Sequence, residues 1–259
     1  MSIFSRFFRR PKAGDENLTL RKTRDFCTSG SPKLTVVFIH GIASDSSAFR
    51  NALRYLEGTR SMKDVRFVTF DLLGAGKSCK ASGLKYGYTD QLIALHNAIM
   101  KLRVTTPLVL VGHSMGTLIA ARYAYEHKKS VAQLILCSPP VYTEQDLDNP
   151  AFEAGKKAFR DAVSAKNLRI LKDKAFNNMM DYIVKNRKNY KVFATLTTHA
   201  VMIYGDADPF IMAQNIEKVA KENPKYLSAM KTSGRHGMSR EKYGKIPALL
   251  ERMMNDSII

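Results

Sequence analysis

The chain has 259 residues, 45% of them hydrophobic and 25% charged, an ordinary composition for a folded protein that can bury a sizeable interior. No apolar run approaches the roughly 20 residues that span a bilayer, so a transmembrane helix is not expected. Cys27, Cys79 and Cys137 are odd in number and lack metal-ligand spacing, which favours reduced thiols in a cytoplasmic compartment over a disulfide framework.

The formal charge of +18 is spread along the chain and favours anionic partners, of which an anionic membrane surface or an acidic carrier protein are the candidates. Nucleic acid is not expected, because no helix-turn-helix, zinc-finger or aromatic RNA-binding signature accompanies the charge. Residues 1–17 stand apart. Aromatics and arginines alternate from Met1 to Arg10, as in a short segment lying on an anionic membrane with Phe4, Phe7 and Phe8 on one side. A disordered terminus is the plainer reading. A cytoplasmic protein, peripheral at the membrane if that segment binds, is the expected location.

From there, short apolar runs alternate with amphipathic stretches. Leu18 to Phe26 reads as an antiparallel edge strand. The runs Leu34 to Ile39, Val65 to Phe70, Leu108 to Val111, Val131 to Cys137, Ala200 to Tyr204 and Tyr226 to Lys231 follow. Most are near-continuously apolar, as strands buried on both faces of a parallel sheet should be. Helices are expected at Ala48 to Glu57, Thr89 to Arg103, Thr117 to His127, Phe210 to Glu222 and Pro247 to Asn255, with Thr89 as an N-cap. The alternation predicts an α/β fold with a doubly wound, mostly parallel sheet.

One interval has no convincing strand. Residues 141–195 instead offer helical stretches around Pro150 to Ser164, Leu168 to Phe176 and Met179 to Lys188, and so read as a helical cap inserted between core segments 18–140 and 196–259. This interval begins acidic and turns basic, with eleven Lys or Arg against three Asp over residues 155–195. Phe152, Phe159, Leu168, Leu171, Phe176, Met179, Met180, Tyr182 and Phe193 are candidates to line an acyl site, although packing between cap helices is the default duty for most of them.

In an open parallel sheet, functional groups gather beyond the carboxyl ends of the strands. The Leu34 run ends in His40-Gly41-Ile42, and the Val65 run ends in Asp71 followed by Gly74 to Ser78. After the Leu108 run stands Gly112-His113-Ser114-Met115-Gly116. Ala200 to Tyr204 leads into Gly205-Asp206-Ala207-Asp208, and the last run into Gly234-Arg235-His236. Ser114 between two glycines after a strand and before a helix presents an exposed hydroxyl on a strained turn. Three such residues at fixed positions turn up by chance in about one chain in ten of this length, so the ordered partners carry the argument.

These motifs resemble the α/β-hydrolase fold superfamily, of the serine esterase and lipase type with a helical cap, over roughly residues 30–255. The resemblance implies a cofactor-free serine hydrolase that cleaves a carboxylic ester or related acyl substrate through an acyl-enzyme. Ser114 is the implied nucleophile, His236 the base and Asp208 the acid, with the backbone N–H groups of Met115 and Ile42 forming the oxyanion hole. Asp206 competes with Asp208, and the family's Gly-x-x-Asp spacing favours Asp208. His40 and Gly41 are expected to hold the oxyanion loop, and Gly112, His113 and Gly116 to shape the elbow. No metal or organic cofactor is required.

Ser44, Ser46 and Ser47 are candidate helix caps or pocket hydroxyls, and His96, His127 and His199 have no constellation around them. The same triad also serves lipid and monoacylglycerol esterases, acyl-carrier-protein esterases, carbon-carbon hydrolases and perhydrolases. A non-catalytic receptor on this fold is the rival of another class.

Overall fold

The computed structural model describes residues 17–78, 80–81, 83–162 and 173–255. The N-terminal aromatic-arginine segment, Cys79, Leu168 and Leu171 lie outside the described residues. Seven strands form one sheet in the order β1-β3-β2-β4-β5-β6-β7: β1 (Arg21–Cys27), β2 (Leu34–Ile39), β3 (Val65–Asp71), β4 (Leu108–His113), β5 (Gln133–Cys137), β6 (His199–Gly205) and β7 (Leu227–Thr232). Only β1 runs antiparallel, against β3 and with an irregular register between Lys22 and Arg24. Its exposed Arg21, Lys22 and Arg24 charge the sheet edge and discourage pairing with another chain.

The central strands are apolar on both faces because both faces are covered. In β2, Val37 and Ile39 join one core layer while Leu34, Val36 and Phe38 join the other, and each is at most 1% exposed. Burying each such side chain contributes about 1.5–3 kcal/mol. The first layer is closed by α2 (Tyr88–Lys101), α3 (Met115–Glu126), α7 (Asn189–Ala194) and α8 (Ala213–Glu222); the second by α1 (Arg50–Gly58) and α10 (Ile246–Asn255). Between β5 and β6 the chain forms α4 (Glu144–Asp148), α5 (Pro150–Ala162), α6 (Asp173–Met179) and a π-helical turn over Met180–Val184 before reaching α7. A short α9 (Arg240–Tyr243) precedes α10.

Three local expectations are corrected. α2 begins at Tyr88 with Gly87 as its N-cap, because Asp90 in the first turn already accepts the Lys85 and Tyr86 amides at 2.8 Å each and leaves Thr89 no capping duty. The helix expected from Ala48 opens instead as a 3-10 turn over Ser46–Phe49, capped by Asp45 rather than by a serine. Helix α8 starts three residues later than expected, since Phe210 to Met212 are held by the loop that follows β6.

Strand order places the functional edge. The chain leaves β2 for β3 on one side and then crosses to β4 on the other, so the switch point lies between the carboxyl ends of β2 and β4. Their register pairs Ile39 with Gly112, which brings Gly41 level with Ser114. α3 crowds down onto this junction. A Cβ on Gly116 would lie 2.1 Å from the Ile39 carbonyl oxygen, and one on Gly112 2.6 Å from the Thr117 Cα. Helix propensity alone favours alanine over glycine by about 1 kcal/mol. The clash outweighs that, so Gly116→Ala should destabilise the fold by at least about 3 kcal/mol, read as a lower urea midpoint. An unchanged midpoint would contradict this packing.

Candidate active site

Ser114 sits at φ 51° and ψ −125°, a conformation that L-residues rarely adopt and that costs about 1–3 kcal/mol. Three hydrogen bonds hold it there. The Ser114 amide donates to the Cys137 carbonyl at 2.9 Å, and the Ser114 carbonyl accepts from the Thr117 amide and hydroxyl at 2.9 and 2.6 Å. Beneath the hydroxyl Gly41 packs so closely that a Cβ on it would stand 3.0 Å from the serine Cβ. Met115 is the first residue of α3, so its N–H has no intrahelical acceptor.

The structure brings Ser114, His236 and Asp208 together. His236 Nε2 lies 2.8 Å from Ser114 Oγ, and its Nδ1 lies 2.9 Å from both carboxylate oxygens of Asp208. The Asp208 side chain is fully buried and that of His236 is 18% exposed. Burial by itself would raise the Asp208 pKa. The hydrogen bond and charge of His236, with the Phe210 amide, outweigh it and keep the carboxyl below its ordinary range. An ionised Asp208 accepts the Nδ1 proton and leaves Nε2 free to accept one from the serine. Asp206 faces elsewhere: it is exposed, and its carboxylate accepts the Gly234 amide at 3.0 Å.

The loop carrying His236 is fastened at three successive carbonyls. That of His236 accepts from His113 Nε2 at 2.7 Å and from the Ser138 hydroxyl at 3.2 Å. Those of Arg235 and Gly237 both accept from the ammonium of Lys242, which is completely buried and whose pKa is lowered by that burial. Neither Ser138 nor Lys242 was singled out in the sequence. Ser138 follows β5 directly, so a search beyond every strand end finds it. Lys242 is one of 41 basic residues, and only its burial distinguishes it.

His40 is buried and ties the β2 loop to the end of β3, with Nδ1 donating to the Gly41 carbonyl at 2.8 Å and Nε2 accepting the Leu72 amide at 2.9 Å. Asp71 is buried beside it, accepting the Ser46 and Lys77 amides at 2.9 and 2.8 Å. Gly76, at φ 46°, passes so close that a Cβ would lie 2.1 Å from that carboxylate. This is a structural turn. The hydroxyls of Ser44, Ser46 and Ser47 neither cap the helix nor appear among the described residues lining the pocket.

A cavity of about 320 Å³ opens beside Ser114 and His236. Phe152, Phe159 and Met180 line it, as does Ile42. Phe176, Met179 and Phe193 are buried in the core instead, and Tyr182 is half exposed at 51%. Tyr142 and Phe210 are wall residues that sequence reasoning passed over. Phe210 stands edge-on to both His236 and Phe159, at ring separations of 5.2 and 5.1 Å. Its position two residues after Asp208 is the signal that was available.

The remaining histidines are structural. His96 and His127 stack at 4.7 Å, with Tyr123 OH 3.1 Å from His96 Nδ1, while His199 packs against Tyr226. Burial lowers the pKa of His40, His96, His113 and His127, and takes His113 to about 3, with His236 nearby adding to the effect. Each of these imidazoles binds a proton less readily in the folded chain than in the unfolded chain, where histidine takes one up below about pH 6.5. Stability should therefore fall as the pH drops from 6.5 towards 5, with His113 contributing up to about 1.4 kcal/mol per pH unit and His40 acting in the same direction. Urea titrations across that interval check this; constant or rising stability would contradict it.

No helix among the described residues is long and apolar enough to cross a membrane. The family model for the alpha/beta hydrolase fold matches residues 35–174, more than half of the chain. A probable lysophospholipase, BODYGUARD 5 of Arabidopsis thaliana, is 30% identical over 121 residues, which cover 46% of this chain and 27% of that protein. The chain thus matches only about a quarter of that relative's length. Among solved structures, a carboxylesterase of the thaumarchaeon Nitrososphaera gargenis superposes with a TM-score of 0.70 at 17% identity, covering 92% of this chain and 97% of its own. The monoacylglycerol lipase of Paleococcus ferrophilus gives 0.62 at 17% identity, covering 91% and 98%. At these identities the structural likeness speaks for the fold alone. With the family model matched across the β2 loop and the Ser114 elbow, the chain belongs to the alpha/beta hydrolase fold family.

Proposed function

We propose that the protein is a serine hydrolase that cleaves a carboxylic ester or related acyl substrate, with Ser114 as nucleophile. The observation that carries this reading is the continuous hydrogen-bonded line from Ser114 Oγ through His236 to buried Asp208, beside a cavity large enough for a small acyl group.

Ser114 Oγ attacks the substrate carbonyl carbon while His236 Nε2 takes its proton. The oxygen of the resulting tetrahedral intermediate is negative. Met115 N–H, at the positive end of α3, and Ile42 N–H, on the loop packed over the serine, stabilise it, at roughly 3 kcal/mol per donor. His236 then returns its proton to the leaving oxygen as the carbon-oxygen bond breaks, which leaves an ester on Ser114. Water deprotonated by His236 attacks that ester, and the acid is released as the proton passes back to Ser114. Asp208 holds the imidazole tautomer and stabilises its charged form throughout. Residues 141–195 act as a cap, supplying Tyr142, Phe152, Phe159 and Met180 to the cavity wall.

The relative named a probable lysophospholipase supports hydrolysis of an acyl bond by this chain. A panel of p-nitrophenyl esters of increasing acyl length tests the reading, with matched thioesters and amides to define the bond cleaved. Turnover that Ser114→Ala abolishes supports it. If the wild type turns over none of them, the receptor reading takes its place.

A further inference from the structure

The cavity beside Ser114 has the opposite electrical character to the chain that builds it. The protein carries a formal charge of +18, yet among the described residues lining the cavity there is no lysine or arginine, and Asp146 is the one carboxylate. Its neighbours in the wall include the rings of Tyr142, Phe152, Phe159 and Phe210. Tyr142 stands edge-on to Phe152 at 5.0 Å and donates its hydroxyl to the Phe210 carbonyl at 2.7 Å, so these rings are held in place.

Asp146 is itself fixed. It closes a capping box at the start of α4, and its Oδ2 accepts the Thr143 amide, the Thr143 hydroxyl and Asn215 Nδ2, each at 2.7 Å. Oδ1 accepts no hydrogen bond among the described residues, and it is not sealed away from solvent. Burial works to raise the pKa of this carboxyl, but the bonds from Thr143 and Asn215 outweigh it and keep the group ionised at neutral pH. The nearby Arg187 does not neutralise it, since that guanidinium pairs with Asp148 and Glu144 on the same helix.

We infer that Asp146 and the aromatic walls select substrates whose cavity-bound group carries a positive charge, such as a quaternary ammonium. This rests on the hydrolase reading and names the substrate class of the same site. A cation in the cavity meets one immobilised carboxylate oxygen and the negative faces of aromatic rings, in surroundings that screen charge less than water does. A carboxylate or phosphate placed there meets repulsion from Asp146 and, among the described lining residues, no lysine or arginine to offset it.

The test compares p-nitrophenyl esters of a trimethylammonium-terminated butyrate and of its tert-butyl-terminated isostere, which differ in charge and hardly in shape. Wild-type kcat/KM should favour the cation by roughly tenfold. Raising the salt concentration should shrink that ratio. In Asp146→Asn, where the amide oxygen can still serve the cap, the ratio should shrink to the smaller part that the aromatic walls supply, with a thermal melt establishing that the variant is folded. Calorimetry with benzyltrimethylammonium and its neutral analogue neopentylbenzene reads the same preference without turnover. Equal or reversed preference in the wild type, or a preference that Asp146→Asn leaves undiminished, would overturn the inference. Failure to hydrolyse either ester would instead count against the hydrolase reading, with calorimetry still deciding the charge preference.

Discussion

Replacing Ser114 by alanine is expected to lower kcat on any accepted ester by roughly 10⁶-fold while leaving the fold intact. Alanine removes the hydroxyl oxygen that lies 2.8 Å from His236 Nε2 and takes nothing from the backbone bonds that hold the elbow. Those bonds run from the Ser114 amide and to its carbonyl, so they survive the substitution. The residual rate should come from the Met115 and Ile42 amides and from binding alone. Removing His236 as well should add little, because a base without a nucleophile has nothing to activate. A variant retaining more than about a hundredth of the wild-type kcat would place the chemistry on another group.

The second large effect separates two neighbouring acids. Asp208→Asn should cost roughly 10⁴-fold in kcat, because an amide in contact with Nδ1 no longer requires a proton there and the imidazole is free to adopt the wrong tautomer. Asp206→Asn should cost far less, within about tenfold. Its carboxylate is exposed and accepts one backbone amide, that of Gly234, which an asparagine oxygen can also accept. Steady-state kinetics on one ester decide between them. Equal losses, or a greater loss at Asp206, would contradict the assignment.

Much of this arrangement was legible in the chain because parallel sheets obey strong rules. Apolar runs at Leu34, Val65 and Leu108 had to be buried on both faces, and the groups after each strand had to collect at one edge. That logic brings Ser114, His236 and the acids Asp206 and Asp208 to one edge, and the family's spacing favours Asp208. Hydrogen-bond geometry was beyond it. Nothing in the local pattern near residue 242 tells a buried lysine from the many solvated ones, since its partners, the carbonyls of Arg235 and Gly237, belong to the backbone and leave no mark in sequence. Helix starts were misplaced where a side chain took an unexpected acceptor role, as Asp90 did ahead of Thr89 and Asp45 ahead of the serines. The cavity wall was half legible. Phe152, Phe159 and Met180 follow from the apolar stretches between β5 and β6, whereas Tyr142 and Phe210 lie in loops whose course only tertiary packing defines.

The central claim is that Ser114 is an activated nucleophile, and covalent labelling reads it without any assumption about substrate. Intact-mass analysis after incubation with a fluorophosphonate should show a single adduct on the wild type, mapped by peptide digestion to Ser114, and none on Ser114→Ala. An unlabelled wild type, or an adduct that persists in Ser114→Ala, would contradict the account.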